Sequence, residues 1–238
     1  MQQALFDAHC HPCSRLSKGN LSVVNGTSPS DWTTVVELAK NSSKVIPAIG
    51  LHPWRVNEVA DNWQALFLDA LPHARVIGEI GLDQWISDCK LERQLSAFCW
   101  QLRQAWQHNL PVTIHCLRAS DALLKILKQE TIPRRGIHLH AYNGSAEQAA
   151  QFIEMGAYFS FHAGQLNRYP KKAIATVQSI PIDRILIETD APDTLGVSNN
   201  ISSFLMQGYE LVAELKDMSI EVIQEQVDAN FRSLFKND

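Results

Sequence analysis

The sequence predicts an α/β protein built as a single-domain (β/α)₈ barrel, and three observations lead to this prediction. The 238 residues are 45% hydrophobic and 19% charged, which is ordinary for a globular protein. Short apolar runs alternate along the chain with segments of helical spacing. The length suits one large barrel, and no Pro/Gly/Ser-rich linker divides the sequence. We therefore expect residues 1–238 to form one domain.

Eight short β-branched or apolar runs, each followed by polar or glycine residues, are candidate strands. They are residues 4–9, 21–26, 44–50, 74–81, 110–115, 135–140, 157–162 and 183–190. Strands that alternate with helices predict parallel βαβ units. A Rossmann-like open sheet is the alternative, but no G-x-G-x-x-G opens the first helix. Eight units in this length therefore favour the closed barrel.

Several segments between these runs have the apolar spacing of helices. In the run Leu91–Trp106, apolar residues recur at steps of three and four. Ser145 is followed three residues later by Gln148, a pattern typical of a capped helix start. Two further helical patterns, near 201–216 and 219–236, close the chain.

The stretch LFDAHCHPC, residues 5–13, places Asp7, His9 and His11 at every second position. Alternate side chains of a strand point to the same face, so these three would converge on one side. Two imidazoles and one carboxylate on one face are typical of the beginning of a transition-metal site. A polar turn rich in histidine is the alternative for this stretch alone.

Metal-ligand residue types follow six of the eight candidate strands. In a barrel, catalytic groups come from the C-terminal ends of several strands, which meet around one axis. The residues at these ends are Asp7, His9 and His11, then His52, Glu79, His115 and His140, and finally Glu188 and Asp190. The sequence therefore predicts one metal site at the C-terminal mouth of the barrel.

The net charge of −4 and the isoelectric point of about 6.1 limit the possible partners. A protein that grips many phosphates of a nucleic-acid backbone is normally basic. If this chain handles nucleic acid, we expect it to contact only a few nucleotides, at an end. Its metal ions would then supply much of the positive charge.

Cysteine usage and the absence of a long apolar run predict a cytoplasmic protein without a membrane span. No run approaches the ~20 apolar residues that a span needs, and the N-terminal residues lack a signal-peptide pattern. Five cysteines do not form the even set of a disulfide framework. Cys10 and Cys13 have C-x-x-C spacing. In a redox dithiol this motif would stand at the start of a helix, whereas here it overlaps the histidine cluster.

The sequence resembles the TatD family of metal-dependent hydrolases along nearly its whole length. The shared motifs, in order, are D-x-H-x-H at 7–11, G-x-H-P at 50–53, G-E-I-G-L-D at 78–83, P-V-x-I-H ending at His115, H-x-x-x-G at 140–144 and E-T-D-x-P at 188–192, with a similar closing helix over 214–235. D-x-H-x-H is common to many amidohydrolases, whereas G-E-I-G-L-D followed by E-T-D-x-P is quite specific.

The resemblance implies a TIM-type barrel that hydrolyses phosphodiesters as a deoxyribonuclease. It implies two divalent metal ions per chain, one held by His9, His11, Glu79 and Asp190 and the other by Glu79, His115 and His140. Glu79 would bridge the ions, and Asp190 would accept the proton of the attacking water. Zn, Mn or Fe suits such mixed ligands better than Mg does, and the sequence does not choose among them.

Other polar residues at the predicted mouth have roles that stay open. His52, Arg118 and Trp54 are candidate substrate contacts, and Trp85 is a second rim aromatic on which a base could stack. The family pattern H-x-R becomes HCLR here, so Arg118 falls one residue later.

Four further residues could be either functional or structural. Asp7 would orient a ligand histidine or simply end its strand, and Glu188 would line a polar cavity or be structural. His138 shares a face with His140 and is the candidate most easily mistaken for a ligand. His162 closes the seventh run, where the family places no ligand.

The nuclease members of the family usually carry basic residues after E-T-D-x-P. In this chain the corresponding segment, 193–203, contains no Lys or Arg and adds Asp193.

Three hypotheses about the function therefore remain open. The first is a phosphodiesterase that acts on DNA ends, and the second is a hydrolase of a small ester, amide or lactone. The third is a non-catalytic binder, which the complete ligand set disfavours. The oligomeric state is open, and a monomer is compatible with the sequence.

Overall fold

The computed structural model describes residues 5–14, 16, 19–86, 90–168, 170–194 and 200–236. These residues contain eight strands in one parallel sheet of order β1 to β8. The strands are β1 (Phe6–Cys10), β2 (Leu21–Asn25), β3 (Val45–Ile49), β4 (Val76–Asp83), β5 (Val112–Leu117), β6 (Ile137–Leu139), β7 (Tyr158–Phe161) and β8 (Ile185–Ile187). Each predicted run overlaps one strand, and β1, β4 and β5 extend one or two residues beyond their runs, so the predicted (β/α)₈ architecture is confirmed.

Hydrogen bonds between the chain after β8 and the end of β1 draw the sheet into a nearly closed barrel. The Asp190 backbone N–H donates to the His9 carbonyl at 2.9 Å, and the His11 N–H donates to the Ala191 carbonyl at 2.7 Å. The buried Asp7 carboxylate accepts from the Thr189 N–H at 2.9 Å and from its hydroxyl at 2.7 Å. The first and last strands are thus joined at the C-terminal mouth.

Helices surround the sheet, as the apolar spacing predicts. In the described residues they are α1 (Pro29–Asn41), α2 (Trp63–Ala70), α3 (Leu91–Gln107), α4 (Ser120–Leu127), α5 (Ala146–Glu154), α6 (Ala163–Arg168), α7 (Pro170–Ser179), α8 (Ile201–Lys216) and α9 (Ile220–Phe235). The capping box before α5 is present: the Ser145 hydroxyl accepts from the Gln148 N–H, and the Gln148 side chain accepts from the Ser145 N–H. No helix in the described ranges is both long and apolar enough to cross a bilayer.

The base of the barrel is apolar because α9 packs across the beginnings of β1 and β8. The rings of Phe6 and Phe231 lie 5.1 Å apart, and Phe235 lies 5.1 Å from Phe231. The buried Asn230 amide donates to the Ile185 carbonyl at 2.7 Å. This end of the barrel is therefore closed by packed aromatic side chains and one hydrogen-bonded amide.

The C-x-x-C pair lies at the end of a strand and not at the start of a helix. Cys10 is the last residue of β1 and is buried, and Cys13 is partly buried in the loop that follows. None of the described residues between Cys13 and β2 is helical, whereas a thioredoxin-like dithiol opens a helix.

Candidate metal centre

Glu79 on β4 lies at the centre of the mouth and is buried. Its Oε2 atom lies 3.4 Å from His9 Nε2 and 3.4 Å from His11 Nε2. Asp190 Oδ1 lies 3.8 Å and 3.6 Å from the same two nitrogens. The two Nε2 atoms are themselves 3.4 Å apart. Two carboxylates and two imidazoles therefore face one point.

The other oxygen of Glu79 faces a second set of imidazoles. Glu79 Oε1 lies 2.8 Å from His140 Nε2, 3.0 Å from His115 Nδ1 and 3.2 Å from His52 Nε2. His115 Nδ1 and His140 Nε2 are 3.2 Å apart. One carboxylate thus lies between two groups of nitrogen atoms, one group at each of its oxygens.

Strand alternation and backbone turns explain how these side chains meet. His9 lies within β1, and the His11 ring is fixed from outside the cluster because its Nδ1 lies 3.0 Å from the Asn25 carbonyl. Asp190, Arg118 and Ala141 all have positive φ angles, of 51°, 53° and 42°. Non-glycine residues in this region are strained, and such strain clusters at functional sites.

Asp83 on β4 orients part of the centre, and its role was not identified from the sequence. Its Oδ2 accepts from Trp54 Nε1 at 2.6 Å and lies 2.9 Å from His115 Nε2. Its Oδ1 accepts from the Trp85 N–H at 2.7 Å. The signal was available, because Glu79 and Asp83 are four residues apart on one strand and therefore share a face.

The buried charges of the cluster depend on one another. Burial alone raises the pKa of Glu79, but His52, His140 and His9 nearby hold it well below its usual value. Burial lowers the pKa of His52 to about 4 and also lowers that of His9. Glu79 is therefore ionised at neutral pH, and His9 and His52 keep unprotonated nitrogens that can bind a metal.

The donor set fits a divalent transition metal. Among the described residues, neither Glu79 nor Asp190 has a Lys or Arg ion-pair partner. The positive charge near these carboxylates must come from imidazolium or from a bound cation. Close groups of potential ligand atoms include His9, His11 and Asp190, and also His52, Glu79 and His115. Mixed imidazole and carboxylate ligands are typical of Zn, Mn and Fe sites.

Comparison with known proteins identifies the family of the chain. The family model described as TatD related DNase matches residues 6–236. The chain belongs to the TatD family. It is 30% identical over 252 residues to the metal-dependent hydrolase YabD of Bacillus subtilis, covering 98% of this chain and 99% of YabD.

Solved structures of the TatD family share the barrel. The crystal structure of YjjV, a TatD homologue from Escherichia coli, superposes with a TM-score of 0.88 at 28% identity and covers 98% of each chain. A TatD family hydrolase from Entamoeba histolytica superposes with a TM-score of 0.80 at 18% identity over the full length of both chains, which shows the common fold.

The three candidate substrate contacts lie at different depths. His52 is buried beside Glu79, with its ring centroid 4.6 Å from that of His115. Trp54 is 48% exposed at the rim. The exposed Arg118 stacks its guanidinium 4.1 Å from the centroid of Trp85. Trp54 and Arg118 are therefore accessible from the mouth, whereas His52 belongs to the centre itself.

A cleft of about 650 Å³ opens beside the centre, over the ends of β5 to β8. Its walls include Arg118, Ala141, His162, Arg168 and Asp193. His162 therefore lines the cleft and not the cluster. In the cation-poor segment 193–203, residues 195–199 lie outside the described part of the chain.

Asp7 and His138 bond to groups other than the clustered imidazole rings. Asp7 binds Thr189 and also accepts from the His9 backbone N–H at 3.3 Å, so it fixes the strand. His138 lies on β6 with its two ring nitrogens near Thr113 and Ser160. Glu188 is fully buried, and one of its oxygens lies 3.7 Å from His140 Nδ1.

His11 and Asp190 form an ion pair in the metal-free protein. Burial lowers the pKa of His11, but its contacts with Asp190 and Glu79 raise it to about 9. Burial raises the pKa of Asp190, but its contact with His11 at 3.6 Å lowers it to about 2. The pair thus stabilises the fold between these limits. The His11 contribution is lost as pH rises from about 6.5 to about 9, and the Asp190 contribution is lost as pH falls from about 4 to about 2.

Because His11 is protonated at neutral pH in this pair, we expect protons to compete with a metal ion for its ring. A ligating imidazole must be unprotonated, so metal binding would release the His11 proton below pH 9. We expect the zinc affinity of chelator-treated protein to rise about tenfold per pH unit for each proton released, between about pH 6.5 and 8. Isothermal titration calorimetry in buffers of different ionisation enthalpy measures this release. An affinity that is independent of pH would contradict the predicted role of His11.

Proposed function

We propose that this TatD-family metal-dependent hydrolase is a phosphodiesterase that acts on DNA ends with two divalent cations. The observation that carries the proposal is the position of Glu79, whose two oxygens face separate groups of imidazoles at 2.8–3.4 Å. Two cations sharing a carboxylate are typical of enzymes that hydrolyse phosphate esters. The described cysteines are free, which supports a reducing, cytoplasmic location.

The residues divide between the two cations according to the Glu79 oxygens. His9, His11 and Asp190 would hold the first cation with Oε2, and His115 and His140 would hold the second with Oε1. Such cations, when bound, polarise a phosphoryl oxygen and make water a nucleophile at neutral pH. Zinc, manganese or iron suits these ligands better than magnesium does.

Asp190 is the proposed acceptor of the water proton. Burial raises its pKa, but the nearby His11 ring lowers it to about 2, so the Asp190 carboxylate is ionised at neutral pH. About a fifth of its side chain is exposed at the mouth, whereas Glu79 is buried. Among the two carboxylates, Asp190 is therefore the one that a water in the mouth can reach.

The cleft would hold the end of the nucleic-acid strand. The Trp85–Arg118 stack lines it and offers a surface on which a base can lie, with a guanidinium for a phosphate. Arg168 supplies a second cation, and Asp193 adds a negative charge to the same cleft. So few cations favour contact with a few nucleotides over a long backbone track. The exposed Trp54 is proposed to contact the strand at the rim, and His52 to contact it within the centre, beside Glu79.

Cleavage of end-labelled oligonucleotides tests the proposed activity. Single- and double-stranded substrates, labelled at either end, are incubated with protein loaded with Mg, Mn, Co or Zn. We expect stepwise shortening from one end and its loss in Asp190→Asn. Absence of cleavage with every metal, under conditions where a known TatD nuclease cuts, would contradict the proposal. Turnover of a small ester, amide or lactone without nuclease activity would establish the second hypothesis instead.

Arg118→Ala is expected to weaken substrate binding more than it slows the chemical step. Loss of one phosphate contact should raise KM for an oligonucleotide about tenfold and reduce its salt dependence by about one counterion. The matched control is Arg103→Ala, because Arg103 lies on α3 and pairs with Glu130. Kinetics at several salt concentrations measure both parameters. An equal effect of the two substitutions would argue against a phosphate contact at Arg118.

A further inference from the structure

Four polar side chains form a buried column beside the metal centre. They come from β5, β6, β7 and the residue after β8, and they are Thr113, His138, Ser160 and Glu188, each 0% exposed. Buried polar groups cost free energy unless they are hydrogen-bonded, so the direction of each hydrogen bond is informative. The functional site described above uses none of the first three.

The hydrogen bonds of the column run in one direction, towards Glu188. The Ser160 hydroxyl donates to Glu188 Oε2. Because a hydroxyl carries one hydrogen, Ser160 must accept from His138 Nε2, which lies 2.6 Å away. His138 Nδ1 then accepts from the Thr113 hydroxyl at 3.3 Å. The column therefore holds one oxygen of Glu188 in place.

The other oxygen of Glu188 faces the metal centre. Glu188 Oε1 accepts from the Ala141 N–H at 2.8 Å and lies 3.7 Å from His140 Nδ1. His9 and His140 each also place a ligand-capable atom within 4.8 Å of Glu188 and of each other. The carboxylate is thus fixed at the outer edge of two clustered imidazoles.

These two imidazoles have matching orientations. The rings of His9 and His140 stack with centroids 4.0 Å apart and planes inclined by 13°. Both direct Nε2 towards Glu79, at 3.4 Å and 2.8 Å. Within the described part of the chain, the Nδ1 atoms of both rings have no hydrogen-bond partner at normal distance. A small movement, or one bridging water, would join them to Glu188.

We propose that Glu188 is the positioning residue for the His9–His140 pair, and that it accepts from their Nδ1–H groups so that each Nε2 lone pair faces the metal. A carboxylate at the outer nitrogen fixes both the tautomer and the ring orientation of a ligand histidine. The inference rests on the metal sites of the proposed function, but it does not depend on the substrate being DNA.

The test measures zinc binding and the imidazole tautomer in Glu188→Ala and Glu188→Gln. Zinc affinity is measured by competition with a chelator, and the Nδ1–H protons by ¹⁵N-histidine NMR of the zinc-loaded protein. We expect Glu188→Ala to bind zinc about 10- to 100-fold more weakly, which is the usual effect of removing a hydrogen-bond partner of a ligand histidine. The protected Nδ1–H signal of His140 should also be lost. Glu188→Gln should restore much of both, because the Ala141 N–H keeps the amide oxygen facing His140.

Asp7→Asn is the matched control, because Asp7 is an equally buried carboxylate that binds Thr189 and backbone. It should keep the protected Nδ1–H signal of His140, since no ligand ring loses an acceptor. Unchanged zinc affinity and NMR signals in Glu188→Ala, or loss of the His140 signal in Asp7→Asn, would overturn the proposal. If Glu188→Ala does not fold, Ser160→Ala decides, with an expected smaller loss in the same two measurements. A lack of nuclease activity in the wild type would leave these measurements unaffected.

Discussion

Glu79→Gln is expected to reduce hydrolysis by about 10³-fold or more and to deplete the protein of metal. Each oxygen of this carboxylate faces imidazole nitrogens, with His9 at 3.4 Å from Oε2 and His140 at 2.8 Å from Oε1. Glutamine has the same shape, but it carries no charge and presents an NH₂ group to one set of nitrogens. Neither arrangement of the amide can serve two cations.

Metal content and turnover distinguish this loss from simple unfolding. Elemental analysis after gel filtration should find less than one metal per chain in Glu79→Gln, while circular dichroism shows a wild-type fold. Glu37→Gln is a suitable control, because Glu37 forms an exposed pair with Lys40 at 2.8 Å. Full metal content together with a rate within about tenfold of the wild type would refute the proposed bridging role of Glu79.

The parts of the site that the sequence predicted are those that depend on local periodicity. Alternation along one strand places His9 on the face that it occupies, and the order of strands brings His115 and His140 to the same mouth. The helix start at Ser145 was predictable for a similar reason, because its capping box involves residues three apart. Such features need no knowledge of which atoms meet across strands.

The parts that could not be predicted depend on contacts across strands. The column from Thr113 to Glu188 exists because His138 pairs in register with Thr113 on one side and lies beside β7 on the other. The sequence left the role of Glu188 open between lining a cavity and supporting the fold, since the register of the strands was unknown.

The depth of His52 in the mouth was also unpredictable, because a loop residue has no strand periodicity to place it. The short helix α6, six residues long, carries too little pattern to identify a cleft wall.

Gly81→Ala is expected to disrupt both the barrel and the metal centre. Gly81 lies on β4 between Glu79 and Asp83 and pairs with His115 on β5. A Cβ atom there would lie 1.9 Å from the His115 carbonyl oxygen, and φ is +153°, where side chains are rarely tolerated. Backbone cannot rotate away as a side chain can, so β4 and β5 would separate. We expect a loss of more than about 4 kcal/mol in the free energy of unfolding, or no folded protein.

Gly156→Ala separates this steric clash from the cost of a positive φ angle. Gly156 follows α5 with φ of +79°, and a Cβ atom there would have nothing within 4 Å. Only the intrinsic strain of about 1–2 kcal/mol should remain, without loss of metal. Urea unfolding of both variants, with zinc affinity of any folded Gly81→Ala, makes the comparison. Equal destabilisation of the two would mean that β4 and β5 can move apart at Gly81 without cost. The centre would then be less rigidly held by the barrel than these contacts imply.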